Sequence, residues 1–227
     1  MPAAPRRASA SGDALGAACT NGEESSRVWV FSEGPPWRVL SATMIVIGLT
    51  GKNCAGKDAT ADLLESMAFE RHSLSDALRA ELRMRGAPIT REALIELGVE
   101  LREAEGPAVL AERMMRLMQT DRVCLVSVRS PAEVHALRRL DRFVLLAVEA
   151  PVAVRFAREH ARHHERQESV PPTLEAFLAL EERENTHDEN AQQLDATIDL
   201  ADETILNEGD LDELRSKVLA LLESLDG

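Results

Sequence analysis

The stretch Gly-Lys-Asn-Cys-Ala-Gly-Lys at residues 51–57 restricts the fold of this chain more than any other part of the sequence. It follows a short apolar run at 44–49 and precedes a helical pattern at 58–67. Strand, glycine-rich loop and helix in this order form the setting in which G-x-x-x-x-G-K binds phosphate. The glycines let the backbone direct N–H groups at phosphate oxygens, and the helix adds the positive end of its dipole. Lys57 can then reach the phosphates, while Asp58 stands where Ser or Thr is usual.

Apolar runs and helical patterns alternate over residues 44–227, which predicts an α/β fold with a parallel sheet covered by helices on both faces. The apolar runs lie at 44–49, 122–128, 143–148 and 203–206, with a weaker run at 69–74. The helical patterns lie near 58–67, 76–85, 90–104, 107–119, 131–140, 151–164, 173–188 and 210–223. Five strands are therefore expected, with ligands bound where their carboxyl ends meet.

Residues 1–43 differ in composition from the rest of the chain. They are rich in Ala, Ser, Gly and Pro, show no periodicity, and carry four basic and four acidic side chains. The whole net charge of −13 therefore belongs to residues 44–227. We interpret residues 1–43 as a disordered extension, or as the product of a start codon assigned too early.

Charge, hydropathy and cysteine content exclude several classes of function. The net charge of −13 argues against nucleic-acid binding, and no apolar run approaches the roughly 20 residues of a membrane span. Cys19, Cys54 and Cys124 are far apart and form no C-x-x-C pair, so neither a disulfide scaffold nor a zinc site is expected. We expect a cytoplasmic protein that is a monomer or a small homo-oligomer.

Three polar residues follow the weak second strand and open the next helix. Ser75 or Asp76 would serve as an N-cap, which is the purely structural interpretation. In the functional interpretation, Asp76 orients a hydroxyl or ribose of an acceptor molecule, and Arg79, one turn later, binds its phosphate. Both interpretations remain open from the sequence.

Two further strand ends carry candidate residues. Ser127 follows the third strand, at a position where phosphate-transfer enzymes often hold magnesium with an acid. Arg129 is costly to bury without an anionic partner, so it either contacts phosphate or pairs with Glu133. Asn207 follows the last strand, where it belongs to a turn before the final helix and is also placed to contact a nucleotide base.

An unusually basic helix face lies late in the chain. Its arginines recur at spacings of 3, 4 and 4 and so share one side of a helix: Arg155, Arg158, Arg162 and Arg166. This face either forms surface ion pairs with neighbouring glutamates or belongs to a lid at about 158–172 that closes over phosphates, for which the forked guanidinium is suited.

Together these motifs resemble nucleotide kinases of the P-loop class, most closely dephospho-CoA kinases and deoxynucleoside monophosphate kinases. The resemblance covers most of residues 44–227, and the loop at 51–57 is its most specific part. It implies the P-loop NTPase three-layer sandwich, with acceptor-binding helices at about 76–120 and an arginine-rich lid. It also implies transfer of the γ-phosphoryl group of ATP, with Mg²⁺, to a small nucleotide-like acceptor, a nucleoside monophosphate or dephospho-CoA.

The same resemblance implies roles for individual residues. The residues that would act on the transferred phosphoryl group are Lys57, Arg129, Arg162 and Arg166. Those that would bind the nucleotide are Gly51, Lys52, Asn53, Cys54, Ala55, Gly56, Lys57, Asp58, Ala59, Arg155 and Asn207. Those that would face the acceptor are Ser75, Asp76, Arg79 and Arg129.

The chain departs from this class at two positions. Many relatives carry Ser or Thr where Asp58 stands, and an acid where Ser127 stands. We hypothesise that positions 58 and 127 have exchanged the acid and the hydroxyl, so that Asp58 supplies the carboxylate that binds magnesium. The alternative is a regulatory module that binds nucleotide but has lost catalysis.

Overall fold

The computed structural model describes residues 44–166, 173–185 and 192–226. The strands are β1 Ile45–Thr50, β2 Glu70–Ser73, β3 Arg122–Val126, β4 Phe143–Glu149 and β5 Glu203–Leu206. The helices are α1 Lys57–Ser66, α2 Leu74–Met84, α3 Arg91–Glu105, α4 Val109–Met115, α5 Pro131–Leu137, α6 Val152–Arg166, α7 Leu174–Glu184, α8 Leu194–Ile198 and α9 Leu211–Asp226. Within α6, α7 and α9, the side chains of residues 162–166, 183–184 and 226 lie outside the described part.

The five strands form one parallel sheet in the order β2-β3-β1-β4-β5, which confirms the predicted α/β fold. Strand β1 lies at the centre, and its Gly48 pairs with Leu125 on one side and Leu145 on the other. Because every strand runs in the same direction, all five carboxyl ends meet at one edge of the sheet. The loop at 51–57 leaves from the middle of that edge.

Successive residues of β1 point to opposite faces of the sheet and enter two separate hydrophobic layers. On one face Val46 belongs to the cluster that includes Leu97 of α3. On the other face Ile47 belongs to the cluster that includes Leu64 of α1 and Val218 of α9. All six residues of β1 are buried, which explains why none of its first five positions carries a polar side chain.

Helix α2 begins earlier than the sequence predicts. Its N-cap is Ser73, whose side chain accepts a hydrogen bond from the backbone N–H of Ser75 at 3.3 Å. The purely structural interpretation of Ser75 or Asp76 as the cap is therefore wrong, because both lie inside the first turn.

Two other elements differ from the prediction. The helix expected at 173–188 ends at Glu184, and residues 186–188 lie outside the described ranges. Helix α8 was not expected, since five residues are too few to show a period in the sequence. Among the helices of the described ranges, none is long and apolar enough to cross a membrane.

Candidate active site

The loop between β1 and α1 turns at two glycines whose surroundings leave no space for a side chain. Gly51 has a φ of 133°, and a Cβ atom there would lie 2.2 Å from the carbonyl oxygen of Val148. Gly56 has a φ of 114°, and its Cβ would lie 2.0 Å from Nδ2 of Asn207. The tight turn on which phosphate binding depends therefore requires glycine at both ends of the motif.

Lys57 lies across this loop. Its Nζ donates to the carbonyl oxygens of Gly51 and Lys52, each at 2.7 Å. Burial, followed by the positive charge of Arg129, lowers the pKa of Lys57 from its usual value to about 8. A buried ammonium group with only neutral oxygens as partners is stabilised further by an anion. The site therefore favours a phosphate beside Lys57.

Asn207 supports the loop from the end of β5. Its Nδ2 donates to the carbonyl oxygen of Ala55 at 2.8 Å, and its side chain is buried. Arg158 of α6 donates to the same carbonyl at 3.3 Å and to Oδ1 of Asn207 at 3.4 Å. Asn207 and Arg158 therefore both lie against the loop, where their side chains donate hydrogen bonds to the carbonyl oxygen of Ala55.

Arg155, one turn before Arg158, is buried between the loop and α7. Its guanidinium donates to the carbonyl oxygen of Asn53 at 3.3 Å and forms an ion pair with Glu181. It also lies over the ring of Phe177, 5.5 Å from the centroid. Part of the predicted arginine face therefore connects the loop to the helical layer beside it.

A cleft of about 400 Å³ opens at the carboxyl ends of β2 and β3, next to the loop. It is lined by Asp58, Glu65, Arg71, His72, Ser73, Asp76, Arg79, Val126 and Ser127. Three of these side chains are carboxylates, two are guanidinium groups and two are hydroxyls, so the lining is almost wholly polar. The cleft collects several of the residues predicted for the acceptor and for magnesium, and it has the position expected of an acceptor site.

Asp58 and Ser127, the two residues that depart from the usual pattern, both line this cleft. Oδ1 of Asp58 lies 3.0 Å from Nη2 of Arg71, which also pairs with Asp62 at 2.5 Å. Ser127 has a φ of 68°, a conformation uncommon outside glycine, and its Oγ accepts a hydrogen bond from Oγ of Ser73 at 3.2 Å. The acid and the hydroxyl thus line one cleft, and their exchange of roles stays a hypothesis.

Asp76 and Arg79 form an ion pair with each other, with Oδ1 of Asp76 lying 2.8 Å from Nη1 of Arg79. Their side chains are 48% and 38% exposed, so both remain accessible to a molecule in the cleft. Ser75, which was predicted beside them, donates its backbone N–H to the side chain of the N-cap Ser73 and is absent from the residues that line the cleft.

Arg129 follows β3 and is half-buried. Its guanidinium donates to Oε1 of Gln192 at 2.9 Å, and its backbone N–H donates to Oε2 of Glu133 at 2.9 Å. Oε1 of Glu133 instead pairs with Arg102 of α3 at 3.1 Å, and both of these side chains are buried. Burial lowers the pKa of Arg129, while the charge of Glu133 opposes this shift. The positive charge of Arg129 also acts on Lys57, so the two cations belong to one site.

The segment that begins α8 contacts both sides of this cationic site. Gln192 binds Arg129, and the carboxylate of Asp195 lies 3.1 Å from Nζ of Lys52 in the loop. Asp195 also accepts a hydrogen bond from Asn185 at 2.6 Å. These contacts were not predicted, because the segment carries no motif of its own.

Some predicted residues cannot be placed. Arg162 and Arg166 belong to the last turns of α6, but their side chains lie outside the described part, as do residues 167–172 of the predicted lid. No group of three or more His, Cys, Asp or Glu side chains that could hold a metal by itself occurs among the described residues. A metal at Asp58 would therefore need oxygen ligands from a bound phosphate.

Sequence reasoning missed Arg71 and Arg102. Arg71 belongs to β2, whose short mixed sequence hides its alternation, whereas Arg102 lies one residue after the buried Leu101 in α3. An arginine on the apolar face of a helix indicates a buried acidic partner, and this signal could have identified the pair with Glu133.

Proteins of similar sequence are known, although no protein-family model matches the chain. A UPF0200 protein of Hyperthermus butylicus is 32% identical over 189 residues, covering 82% of this chain and 97% of that protein. A UPF0200 protein of Methanothrix thermoacetophila is 32% identical over 184 residues, covering 80% of this chain and 98% of that protein. A longer UPF0200/UPF0201 protein of Archaeoglobus fulgidus is 31% identical, and the chain spans 56% of its length.

One solved structure shares this architecture, and others are similar to the chain. The structure of TT1252 from Thermus thermophilus matches with a TM-score of 0.52 and 25% identity, covering 81% of this chain and 99% of that chain. A shikimate kinase from Acinetobacter baumannii, solved with shikimate, matches with a TM-score of 0.49 and 18% identity, covering 80% of this chain and 94% of that chain.

Proposed function

The chain belongs to the UPF0200 family, and from that premise we propose that it transfers the γ-phosphoryl group of ATP to a small nucleotide-like acceptor, a nucleoside monophosphate or dephospho-CoA. The observation that carries this proposal is the arrangement of Lys57 and Arg129. Lys57 donates to two carbonyl oxygens of the glycine loop and feels the positive charge of Arg129, and their near neighbours in sequence, Asp58 and Ser127, line a polar cleft. Phosphoryl transfer relies on positioning and on stabilising charge, and both are supplied by such a site.

The other predicted residues also support this proposal, some because they bind the loop at 51–57 and others because of their place around it. Arg155, Arg158 and Asn207 hold loop carbonyl groups and so keep the phosphate-binding turn in shape. Asp76 and Arg79 line the cleft in which, by this proposal, the acceptor would bind. In this assignment Arg162 and Arg166 would approach the phosphates from the lid. A lid that excludes water would suppress wasteful hydrolysis of ATP.

The test is an assay of the full chain with MgATP and a panel of nucleoside monophosphates and dephospho-CoA. Lys57→Ala should reduce phosphoryl transfer by about 100-fold or more, because the lost charge acts on the transferred group. Lys217→Ala is the matched control, since this lysine lies on α9 and binds Glu213 and the carbonyl oxygen of Leu206. Unchanged turnover in Lys57→Ala would sink the assignment. Nucleotide binding without transfer to any acceptor would identify a regulatory module instead.

The exchange of Asp58 and Ser127 has its own test. Mg²⁺ in phosphoryl-transfer sites is bound by one or two protein oxygens together with substrate phosphates, and when bound it neutralises the charge that develops on those phosphates. The carboxylate of Asp58 and the hydroxyl of Ser127 are suitable ligands on the wall of the cleft.

We expect Asp58→Ala to raise the Mg²⁺ concentration needed for half-maximal transfer by about tenfold or more. Asp62→Ala is the control, because it removes the other carboxylate from Arg71 and leaves Asp58 in place. Measuring transfer against Mg²⁺ concentration in Ser127→Ala completes the set. Full activity and an unaltered Mg²⁺ requirement in Asp58→Ala would show that the exchange hypothesis is wrong.

A further inference from the structure

The segment 192–195, which leads into helix α8, binds two cations that lie beside the candidate phosphate site. Oδ1 of Asp195 lies 3.1 Å from Nζ of Lys52, in the glycine loop. Oε1 of Gln192 accepts a hydrogen bond from the guanidinium of Arg129 at 2.9 Å, and the backbone N–H of Gln193 donates to the carbonyl oxygen of Arg129 at 3.0 Å. One short segment therefore contacts Lys52 and Arg129 together.

The carboxylate of Asp195 is held in place from its other side by Asn185. Nδ2 of Asn185 donates to Oδ2 of Asp195 at 2.6 Å, and the backbone N–H of Asp195 donates to Oδ1 of Asn185 at 3.1 Å. Because Asn185 takes Oδ2, Oδ1 is directed at Lys52. Two hydrogen bonds order the carboxylate, so its pairing with Lys52 costs less side-chain entropy than that of an isolated exposed pair.

These contacts close a ring that starts and ends at the loop. Asn185 is the C-cap of α7. Glu181, one turn earlier in α7, forms an ion pair with Arg155 of α6, which donates to the carbonyl oxygen of Asn53 at 3.3 Å. The loop is thus bound on one side through Arg155 and on the other through Asp195. Asp195 is the member of this ring that places a negative charge against a loop cation.

A carboxylate at this position opposes the binding of a phosphate. Like charges a few ångströms apart repel, and a phosphate that pairs with Lys52 must come close to Asp195 or displace it. The side chains of Lys52 and Asp195 are 42% and 52% exposed, so solvent screens the pair and keeps it weak. A nucleotide brings several negative charges and can therefore take Lys52 from a single exposed carboxylate.

We propose that Asp195 competes with the phosphates of the nucleotide for Lys52, and that nucleotide binding displaces the segment 192–195 from the loop. This inference rests on the proposed function, since it takes the nucleotide to be the ligand of the loop. The competition weakens the affinity for nucleotide and speeds the release of ADP after transfer. Asp195 acts here through Lys52 and touches no reacting atom, so it is a positioning residue.

The first experiment measures the affinity of the full chain for MgADP by isothermal titration calorimetry. Asp195→Asn should lower the dissociation constant about threefold to fivefold, which is the upper part of the range for an exposed ion pair. Asp199→Asn is the matched control, because it removes the same charge from an exposed residue at the other end of α8. The control should change the dissociation constant by less than about 1.5-fold, since solvent screens a charge at that distance.

The same measurement in Lys52→Gln separates competition for the lysine from a general effect of charge. The gain in affinity caused by Asp195→Asn should disappear in this background, because the two residues then have no ion pair to lose. A gain that persists would overturn the inference. Weaker binding of MgADP by Asp195→Asn in the unaltered background would overturn it as well, since Asp195 would then assist nucleotide binding.

The second experiment tests the displacement itself, by amide hydrogen exchange with and without saturating MgADP. Amides at 193–199 should exchange at least about twofold faster when MgADP is bound, because the segment loses its contacts with Lys52 and Arg129. Amides of β1, Ile45–Thr50, should exchange more slowly, since the ligand stabilises the strand before the loop. Exchange at 193–199 that is unchanged or slower would show that the segment stays in place and would overturn the inference.

The outcomes also separate this inference from the proposed function. Phosphoryl transfer by a chain whose affinity for MgADP is equal with Asp195 and with Asn at that position would leave the proposed function intact and remove the competition. Tighter binding in Asp195→Asn without transfer to any acceptor of the panel would contradict the proposed function and support the competition. A chain that does not bind MgADP would contradict both.

Discussion

Lys57 carries the most direct consequence at the scale of single residues. Burial lowers its pKa to about 8 in the ligand-free chain, and a bound phosphate raises the pKa again because it stabilises the charged form. Near pH 8 about half of the free molecules hold a neutral Lys57, so binding of MgATP should take up about half a proton. Uptake should approach one proton near pH 9 and vanish below about pH 7, and affinity should weaken as the pH rises.

Isothermal titration calorimetry in two buffers of different ionisation enthalpy measures this uptake, and Lys57→Met should abolish it. The same pKa also affects folding. Between about pH 8 and 10.5 the unfolded chain keeps a proton that the folded chain has lost, so this group makes the fold more stable as the pH rises. If the proton uptake on MgATP binding does not change between about pH 7 and pH 9, the assignment of Lys57 to the phosphate is contradicted.

The sequence predicts which residues reach the site more reliably than it predicts their partners. The spacing of Gly51, Gly56 and Lys57 is a local property of one loop and therefore appears in the sequence directly. The pair of Asp58 with Arg71 joins two elements that the sheet brings together, and no local pattern indicates it. Likewise, the contact of Arg129 with Gln192 spans 63 residues, whereas the sequence suggested either a phosphate or Glu133, four residues away.

Elements are held in place by a few polar contacts as well as by the core. The buried pair of Arg102 and Glu133 joins α3 to α5, which follows β3. Among the residues that the structure describes, Nε of Arg102 has no hydrogen-bond partner, so the carboxylate of Glu133 is important for compensating this buried charge. Glu133 also accepts hydrogen bonds from the backbone N–H groups of Arg129 and Ser130. One side chain therefore fixes the start of α5, the position of α3 and the backbone of Arg129.

Glu133→Gln should destabilise the fold by about 3–5 kcal/mol, because it leaves the guanidinium of Arg102 buried without a counter-charge. Denaturant unfolding measures this loss. The double variant Arg102→Met with Glu133→Gln should recover part of the stability, since it removes both charges together. Losses that simply add in the double variant would show that the two residues are not coupled.

All five strands were predicted, including the weak run that forms β2, whereas the shortest helix was not. Strands β1 and β4 are buried continuous apolar runs, and their bounds agree with the prediction to within about one residue. Helix α8 has five residues and derives its position from its neighbours: the backbone N–H of Gln193 donates to the carbonyl oxygen of Arg129, at 3.0 Å. An element stabilised mainly by contacts distant in the sequence leaves no periodic signal.

At the scale of the whole molecule, a cationic site belongs to a chain with a net charge of −13. Binding of an anion therefore depends on the local field of the loop and not on overall attraction. The loop leaves from β1, the central strand, and also contacts the end of β4 and Asn207 after β5. A ligand bound there connects three of the five strands, so binding should stabilise the entire sheet.

MgATP at 100 times its dissociation constant should stabilise the folded chain by about 2.7 kcal/mol. For a domain of this size, that corresponds to an increase in melting temperature of roughly 5–10 °C, measured by differential scanning fluorimetry or calorimetry. Lys57→Ala should show little of this increase, whereas Lys217→Ala should show all of it. An equal increase in both variants would indicate that the nucleotide binds elsewhere.

The buried pair of Arg102 and Glu133 also has an evolutionary consequence. A lineage that loses only one of the two residues passes through a protein with an isolated buried charge, and most proteins have too little spare stability to tolerate that. Positions 102 and 133 should therefore change together among descendants of a common ancestor, or not at all. Where both have become apolar, the backbone N–H of Arg129 needs an acceptor other than Glu133.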